Sequence, residues 1–187
     1  RATNNIDADS IPDTAKYKHR KDPVVVKTND IITYRISIYN EGEINGYASK
    51  IVDQLPTGMV STLGNTVTSN KGTSYSVSYD ETNNKITLTA DTTTAKTINK
   101  FDGTTLSSDY VDVTCRVNQA SATNGETHYL TNIAYIAEGY DTENSRVVTE
   151  DRDGNESKTT ESPSQTASQL NSTDKNSYKG KSSNPNV

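Results

Sequence analysis

Ile31-Ile32-Thr33-Tyr34-Arg35-Ile36-Ser37-Ile38-Tyr39 decides the fold class. Ile32, Tyr34, Ile36 and Ile38 fall on one parity. Thr33, Arg35 and Ser37 fall on the other, together with Tyr39. A period of two over this length is that of a β-strand with one wet face. Asn40-Glu41-Gly42-Glu43 breaks it. An amphipathic helix would repeat every 3.6 residues, and this stretch does not.

The same pattern recurs outward from this strand. Upstream, Pro23-Val24-Val25-Val26-Lys27 is β-prone and Thr28-Asn29-Asp30 reads as a turn. Downstream, Tyr47 to Leu55 places Ile51, Asp53 and Leu55 on one parity, and Pro56-Thr57-Gly58 closes it. Tyr75, Val77 and Tyr79 alternate with serines, and Ile86 and Leu88 with threonines. The polar turn Asp80 to Asn84 between them predicts a hairpin. Val111, Val113, Cys115 and Val117 alternate with Asp112, Thr114 and Arg116. Tyr129 to Ile136 is apolar on both faces, as a central strand would be. Residues 91–108 read as either a short helix from Ala95 to Phe101 or a long crossover. The expectation is an all-β sandwich of about seven strands.

Three regions follow. Residues 1–22 form a polar N-terminal extension or linker, 23–150 the sandwich, and 151–187 a polar Ser/Thr/Asn-rich extension. In the last, twelve residues are Ser or Thr, and only Ala167, Leu170, Tyr178 and Val187 are apolar. Alone, such a segment buries too little to offset its ordering entropy. It reads either as a linker or as a segment held by neighbouring subunits or by its own sandwich.

Composition narrows the function. The 187 residues carry 19 Lys and Arg against 24 Asp and Glu, a formal charge of −5, which offers no bulk attraction for nucleic acid or an anionic membrane. A single cysteine, Cys115, excludes an intrachain disulfide and a paired-cysteine zinc site. His19 and His128 are the only histidines, which excludes a multi-histidine centre. No apolar run is long enough to insert in a membrane. No nucleophile elbow, Walker loop or dinucleotide loop is present. The chain opens on Arg1, which reads as a processed product or a fragment, so the lack of a leader does not set the compartment. Cys115, between Val113 and Val117 in parity, reads as buried filler.

The stretch from Lys21 through Ile36, continued by Tyr39-Asn40-Glu41-Gly42-Glu43, Gly46-Tyr47-Ala48-Ser49-Lys50-Ile51 and Asp53-Gln54-Leu55-Pro56-Thr57-Gly58, carries a family resemblance. It resembles the Ig-like repeat domains of large surface and adhesin-stalk proteins of Gram-positive, clostridial-type bacteria. Leu130-Thr131-Asn132-Ile133-Ala134-Tyr135-Ile136 resembles that family's last core strand, and Asp151-Arg152-Asp153 its closing acidic stretch. The resemblance covers about residues 15–155.

It implies an extracellular structural protein of a cell wall, stalk or surface filament, with no turnover chemistry. It also implies a self-made isopeptide bond between a first-strand Lys and a last-strand Asn beside an acidic residue. Burial keeps such a Lys neutral and nucleophilic, and a buried carboxyl relays the proton. Asn132 is the candidate amide, sharing parity with Leu130, Ala134 and Ile136. Asp53 is the candidate acid and Glu41 the weaker alternative. A satisfied strand Asn and a turn-capping Asp before Pro56 are the structural alternatives. For the amine, Lys27 is preferred over Lys50. In the resembling repeats the first strand, with its Lys, precedes the region matching residues 1–22, and no equivalent is present here.

A sandwich lacking its first strand leaves an unpaired edge that a strand from another subunit can fill. The expected partners are therefore further copies or neighbouring repeats, as a homopolymer or tandem stalk. A host surface protein or glycan bound through loops is the alternative, with Tyr39, Tyr47 and Tyr140 as candidate contacts forming no evident cluster. No cofactor is expected. Calcium at Asp151, Asp153 and Asn155, with Asp141 and Glu143 contributing if the loops converge, is a weak candidate, because the spacing departs from a calcium loop.

Overall fold

The computed structural model describes residues 26–40, 44–118, 130 and 132–148. Among these there are nine strands and no helix. They are β1 (Ile31–Asn40), β2 (Gly46–Gln54), β3 (Met59–Ser61), β4 (Thr66–Thr68) and β5 (Ser74–Asp80), then β6 (Lys85–Ala90), β7 (Ser107–Val117), β8 (Ile133–Asp141) and β9 (Arg146–Val148). They form two antiparallel sheets, ordered β1-β7-β3 and β4-β5-β6-β2-β8-β9. The all-β, two-sheet expectation holds.

The strands exist because alternating apolar residues share one interior. Val111, Val113, Cys115 and Val117 of β7 are each 0% exposed, as are Ile51, Ile86 and Leu88 from the opposite sheet. Ile38, Ala48, Leu55, Met59, Tyr75 and Ile98 join the same cluster. The Ile86/Leu88 strand pairs with the Tyr75–Tyr79 strand through six rungs, from Tyr75↔Ala90 to Asp80↔Lys85, which is the expected hairpin. Asp80 ties its turn by accepting from the Thr82 and Asn83 amides, and Asn84 takes φ 52 there.

Three elements differ from the sequence reading. β3, β4 and β9 are three-residue strands, too short to show a period. The last long strand runs on to Asp141 rather than stopping at Ile136. Of the two readings of residues 91–106, the crossover is the one formed. Asp91 caps a turn by accepting from Thr93, and Ile98 is buried and bridged to Gly46. The reason is composition: Thr92, Thr93 and Thr94 resist a helix and favour the turn. Of the β-prone run before β1, Val26 and Lys27 lie outside any strand, and 23–25 lie outside the described residues.

β1 is the edge of the three-stranded sheet. It pairs with β7 over ten rungs, from Ile31↔Arg116 to Asn40↔Ser107. Among the described residues no strand lies on its other side. The consequence is visible in burial. Inward-facing Ile32, Tyr34 and Ile36 are only half-buried, whereas every inward residue of β7 from Val111 to Val117 is fully enclosed. Facing this margin are β2, β8 and β9 of the six-stranded sheet.

Candidate buried amide–carboxyl site

Asp53 lies near the end of β2, at the rung Asp53↔Ala134 with β8. The parity it shares with Ile51 and Leu55 turns it into the interior, where it is 0% exposed. Asn132 immediately precedes β8. Its Nδ2 donates to Asp53 Oδ1 at 2.6 Å. The structure therefore joins the two residues expected to act together. It also rejects the alternative that Asp53 caps a turn, since the carboxyl accepts from Asn132 and not from the Pro56 turn.

The pair is incomplete. Asp53 Oδ2 and Asn132 Oδ1 are both buried, and among the described residues neither has a hydrogen-bond partner. An orphaned buried acceptor costs about 1–3 kcal/mol, so a pair of them in one place calls for a donor. Burial pushes the Asp53 carboxyl up to about 7, with the Asn132 hydrogen bond pulling weakly the other way. At neutral pH the group thus stands near the midpoint between acid and base, the condition for proton relay.

Two further groups feel the charge of this carboxyl. Tyr34 reaches in from β1 and its hydroxyl donates to Met59 Sδ at 3.4 Å. Burial, then the Cys115 and Asp53 charges, raise its pKa. Cys115, on β7, is pushed up to about 12 by burial and next by Asp53. Both stay protonated, and Cys115 is the buried filler its parity implied.

The expected amines are elsewhere. Lys27 is exposed on the turn ahead of β1, where its backbone N–H donates to Asp30 Oδ2 at 2.8 Å. Asp30 N–H donates back to Lys27 O, and Asn29 adopts φ 73 to close the turn. Lys50 pairs with Glu138 on the neighbouring β8 rung. Neither reaches the two open oxygens. Lys27 follows a β-prone run, which is the ground for expecting the amine there. The turn intervenes and sends it to solvent.

Glu41, Asp151, Asp153 and Asn155 lie outside the described residues. Asp141, one of the two further candidates, is engaged by its own turn. It accepts from the Glu143 and Asn144 amides, Asn144 Nδ2 and Arg146 Nε. These donors, Asn144 first, hold its carboxyl down at about 2. Among the described residues no group of metal-ligating side chains converges.

The tyrosines correct a second expectation. Tyr39, Tyr47 and Tyr140 do meet, lining one mostly apolar cavity of about 130 Å³ with Ile38, Ile98 and Ile136. Tyr47 and Tyr140 stack with ring centroids 5.2 Å apart. They sit on β1, β2 and β8, so only the sheet pairing brings them together. The rung Tyr47↔Tyr140 is a cross-strand pair no single segment can reveal.

The fold and this pair define a two-sheet β-sandwich with a buried amide–carboxyl couple at one margin. Comparison with protein-family models, characterised proteins and solved structures finds no match.

Proposed function

We propose that the chain is an Ig-like structural subunit or repeat of a bacterial surface stalk or fibre. It polymerises by β-strand exchange and is stabilised by a Lys–Asn isopeptide bond. The carrying observation is the Asp53–Asn132 pair, buried at 2.6 Å with one unpartnered acceptor on each residue. The half-buried inner face of β1 supports the same reading, since an added strand would cover it.

The chemistry is one turnover. A neutral Lys amine on the added strand attacks Asn132 Cγ, forming a C–N bond. The Cγ–Nδ2 bond breaks. Asp53 takes the proton from the attacking nitrogen and delivers it to Nδ2, which leaves as ammonia. Asp53 already accepts from that nitrogen, so the proton travels a single hydrogen-bond length. No oxidant is needed, and Asp53 returns to its starting state. The product is a covalent tie across the sandwich that resists unfolding as a disulfide would.

The adhesin alternative, a host ligand held by loops, draws less support. The tyrosines it would use lie on strands.

The test is intact mass under denaturing conditions. A chain lighter by about 17 Da, or a boiled ladder of chains each lighter by that amount per bond, is expected. Asp53→Ala and Asn132→Ala restore the full monomer mass. An unchanged mass in the wild-type chain overturns the crosslink.

A further inference from the structure

Asn45 immediately precedes β2 and Gly46 begins it. The fold needs both residues. Gly46 is required because a Cβ there would stand 2.5 Å from Tyr140 O. Asn45 is required because its amide is used at both ends. Its Nδ2 donates to Glu143 Oε1 at 2.8 Å, and its Oδ1 accepts from the Lys100 backbone N–H at 2.8 Å. Its backbone carbonyl accepts from Thr142 N at 3.0 Å and from Thr142 Oγ1 at 2.9 Å. Three segments are tied together at this residue: the lead into β2, the crossover at 91–106 and the turn between β8 and β9.

Asn followed by Gly is also the pair most open to loss of the side-chain amide, because no Cβ on the second residue keeps its nitrogen from reaching Cγ. We propose that Asn45 is a latent modification site: its amide converts to a carboxylate when this three-segment tie opens, and the conversion keeps the tie open. The step balances without an oxidant. Gly46 N attacks Asn45 Cγ and forms a C–N bond. The Cγ–Nδ2 bond breaks, and Nδ2 leaves as ammonia with the proton of Gly46 N–H. Water then opens the cyclic imide, giving aspartate or isoaspartate. The proposal goes beyond the proposed crosslink and uses neither Asn132 nor Asp53.

In the closed state every reacting group is held. Gly46 N–H donates to Ile98 O at 3.2 Å, and the Asn45 amide is fixed by Glu143 on one side and by Lys100 N on the other. Ring closure must break all three bonds. Glu143 is the weak point of the tie, since its side chain is 39% exposed and its turn leads into the three-residue β9. After conversion a carboxylate oxygen stands where Nδ2 met Glu143, so a hydrogen bond becomes a like-charge contact. Isoaspartate also adds a backbone carbon ahead of Gly46 and displaces its rung with Asp141. Gly46 and Tyr47 wall the tyrosine cavity, so that wall loosens with the tie.

The test holds the intact chain at neutral pH and follows the peptide containing Asn45 by mass and by isoaspartate content. Conversion makes that peptide heavier by about 1 Da. The wild-type chain should convert at least about tenfold more slowly in native buffer than in urea. Asn124-Gly125, the other such pair in the sequence, calibrates the rate in urea. Glu143→Ala should speed native conversion at least about threefold, and Glu143→Gln, which keeps an oxygen acceptor, should not. Cys115 reactivity in the same samples reports global unfolding. Asn45→Asp should melt below the wild type. Equal rates in native buffer and in urea overturn the protection. A Glu143→Ala rate that stays unchanged, or rises only in step with Cys115 reactivity, overturns the tie as the gate. An Asn45→Asp chain as stable as the wild type overturns the claim that conversion keeps the tie open.

Discussion

Asn132 donates at 2.6 Å to Asp53, 79 positions earlier in the sequence, and the carboxyl it meets is wholly buried. That carboxyl is shifted from 3.8 to about 7. The folded state therefore keeps a proton that the unfolded chain releases near pH 4. Stability should fall as pH rises from about 4 to about 7, and stay level above it, by an amount on the order of 4 kcal/mol. Tyr34 and Cys115, both raised by burial, remain neutral throughout this window. Asp141 has the opposite sign. Held down at about 2, it contributes stability above pH 4 that is lost as pH drops towards 2. The two together place a stability maximum near pH 4. Urea denaturation at half-unit steps should show it, and Asp53→Asn should flatten the slope between pH 4 and 7.

Removing the amide should act in a different way. Asn132→Ala leaves both Asp53 oxygens without a partner, at a cost of about 1–3 kcal/mol. It also removes the one hydrogen bond that draws the carboxyl pKa down, so the Asp53 midpoint moves further up. The carboxyl carbon shift of Asp53, followed by NMR against pH, would report that movement directly. A midpoint unchanged in Asn132→Ala would show that the hydrogen bond has no electrostatic role.

Two glycines hold the margin opposite β1. A Cβ on Gly46 would stand 2.5 Å from Tyr140 O, and one on Gly139 would stand 2.9 Å from Val148 Cγ2. Gly46→Ala presses on backbone and should cost about 1–3 kcal/mol by forcing the β2 and β8 strands apart. Gly139→Ala presses on a side chain at β9 and should cost less. Thermal melts of the two variants rank them.

Cys115 offers a clean probe of global opening. It is 0% exposed, and burial holds its thiol up at about 12. Ellman's reagent should react with it at the rate of unfolding and not at that of a surface thiol. A Cys115 that reacts within seconds in native buffer would contradict the enclosed core. Ile86→Ala, which opens that core, should destabilise the fold by about 2–5 kcal/mol and speed the reaction in step.

The readable part of the fold is the part with a period. β1, β2, β5, β6 and β7 follow from alternation, since each has enough residues to display it. β3, β4 and β9 have three residues each, and pairing makes them strands. Parity also exposed the site: Asp53 among Ile51 and Leu55, and Asn132 among Ala134 and Ile136, are polar residues on core faces. The tyrosine cavity was illegible because Tyr39, Tyr47 and Tyr140 become neighbours only through strand order. Lys27 misled because the type of turn after it decides where it points, and Asn29 at positive φ is a weak mark in sequence.

The ten-rung ladder between β1 and β7 has a mechanical consequence. The described chain enters β1 at the end where Ile31 meets Arg116, and leaves by Val148 near the tyrosines beside the far end of β1. Tension applied through Ile31 and Val148 runs along the strands. It would strip the three rungs of β9 one by one, like a zipper. It would then meet β1 against β7 and β8 against β2 in shear, with all their hydrogen bonds strained at once. A small early extension followed by a high plateau is the force signature this topology sets.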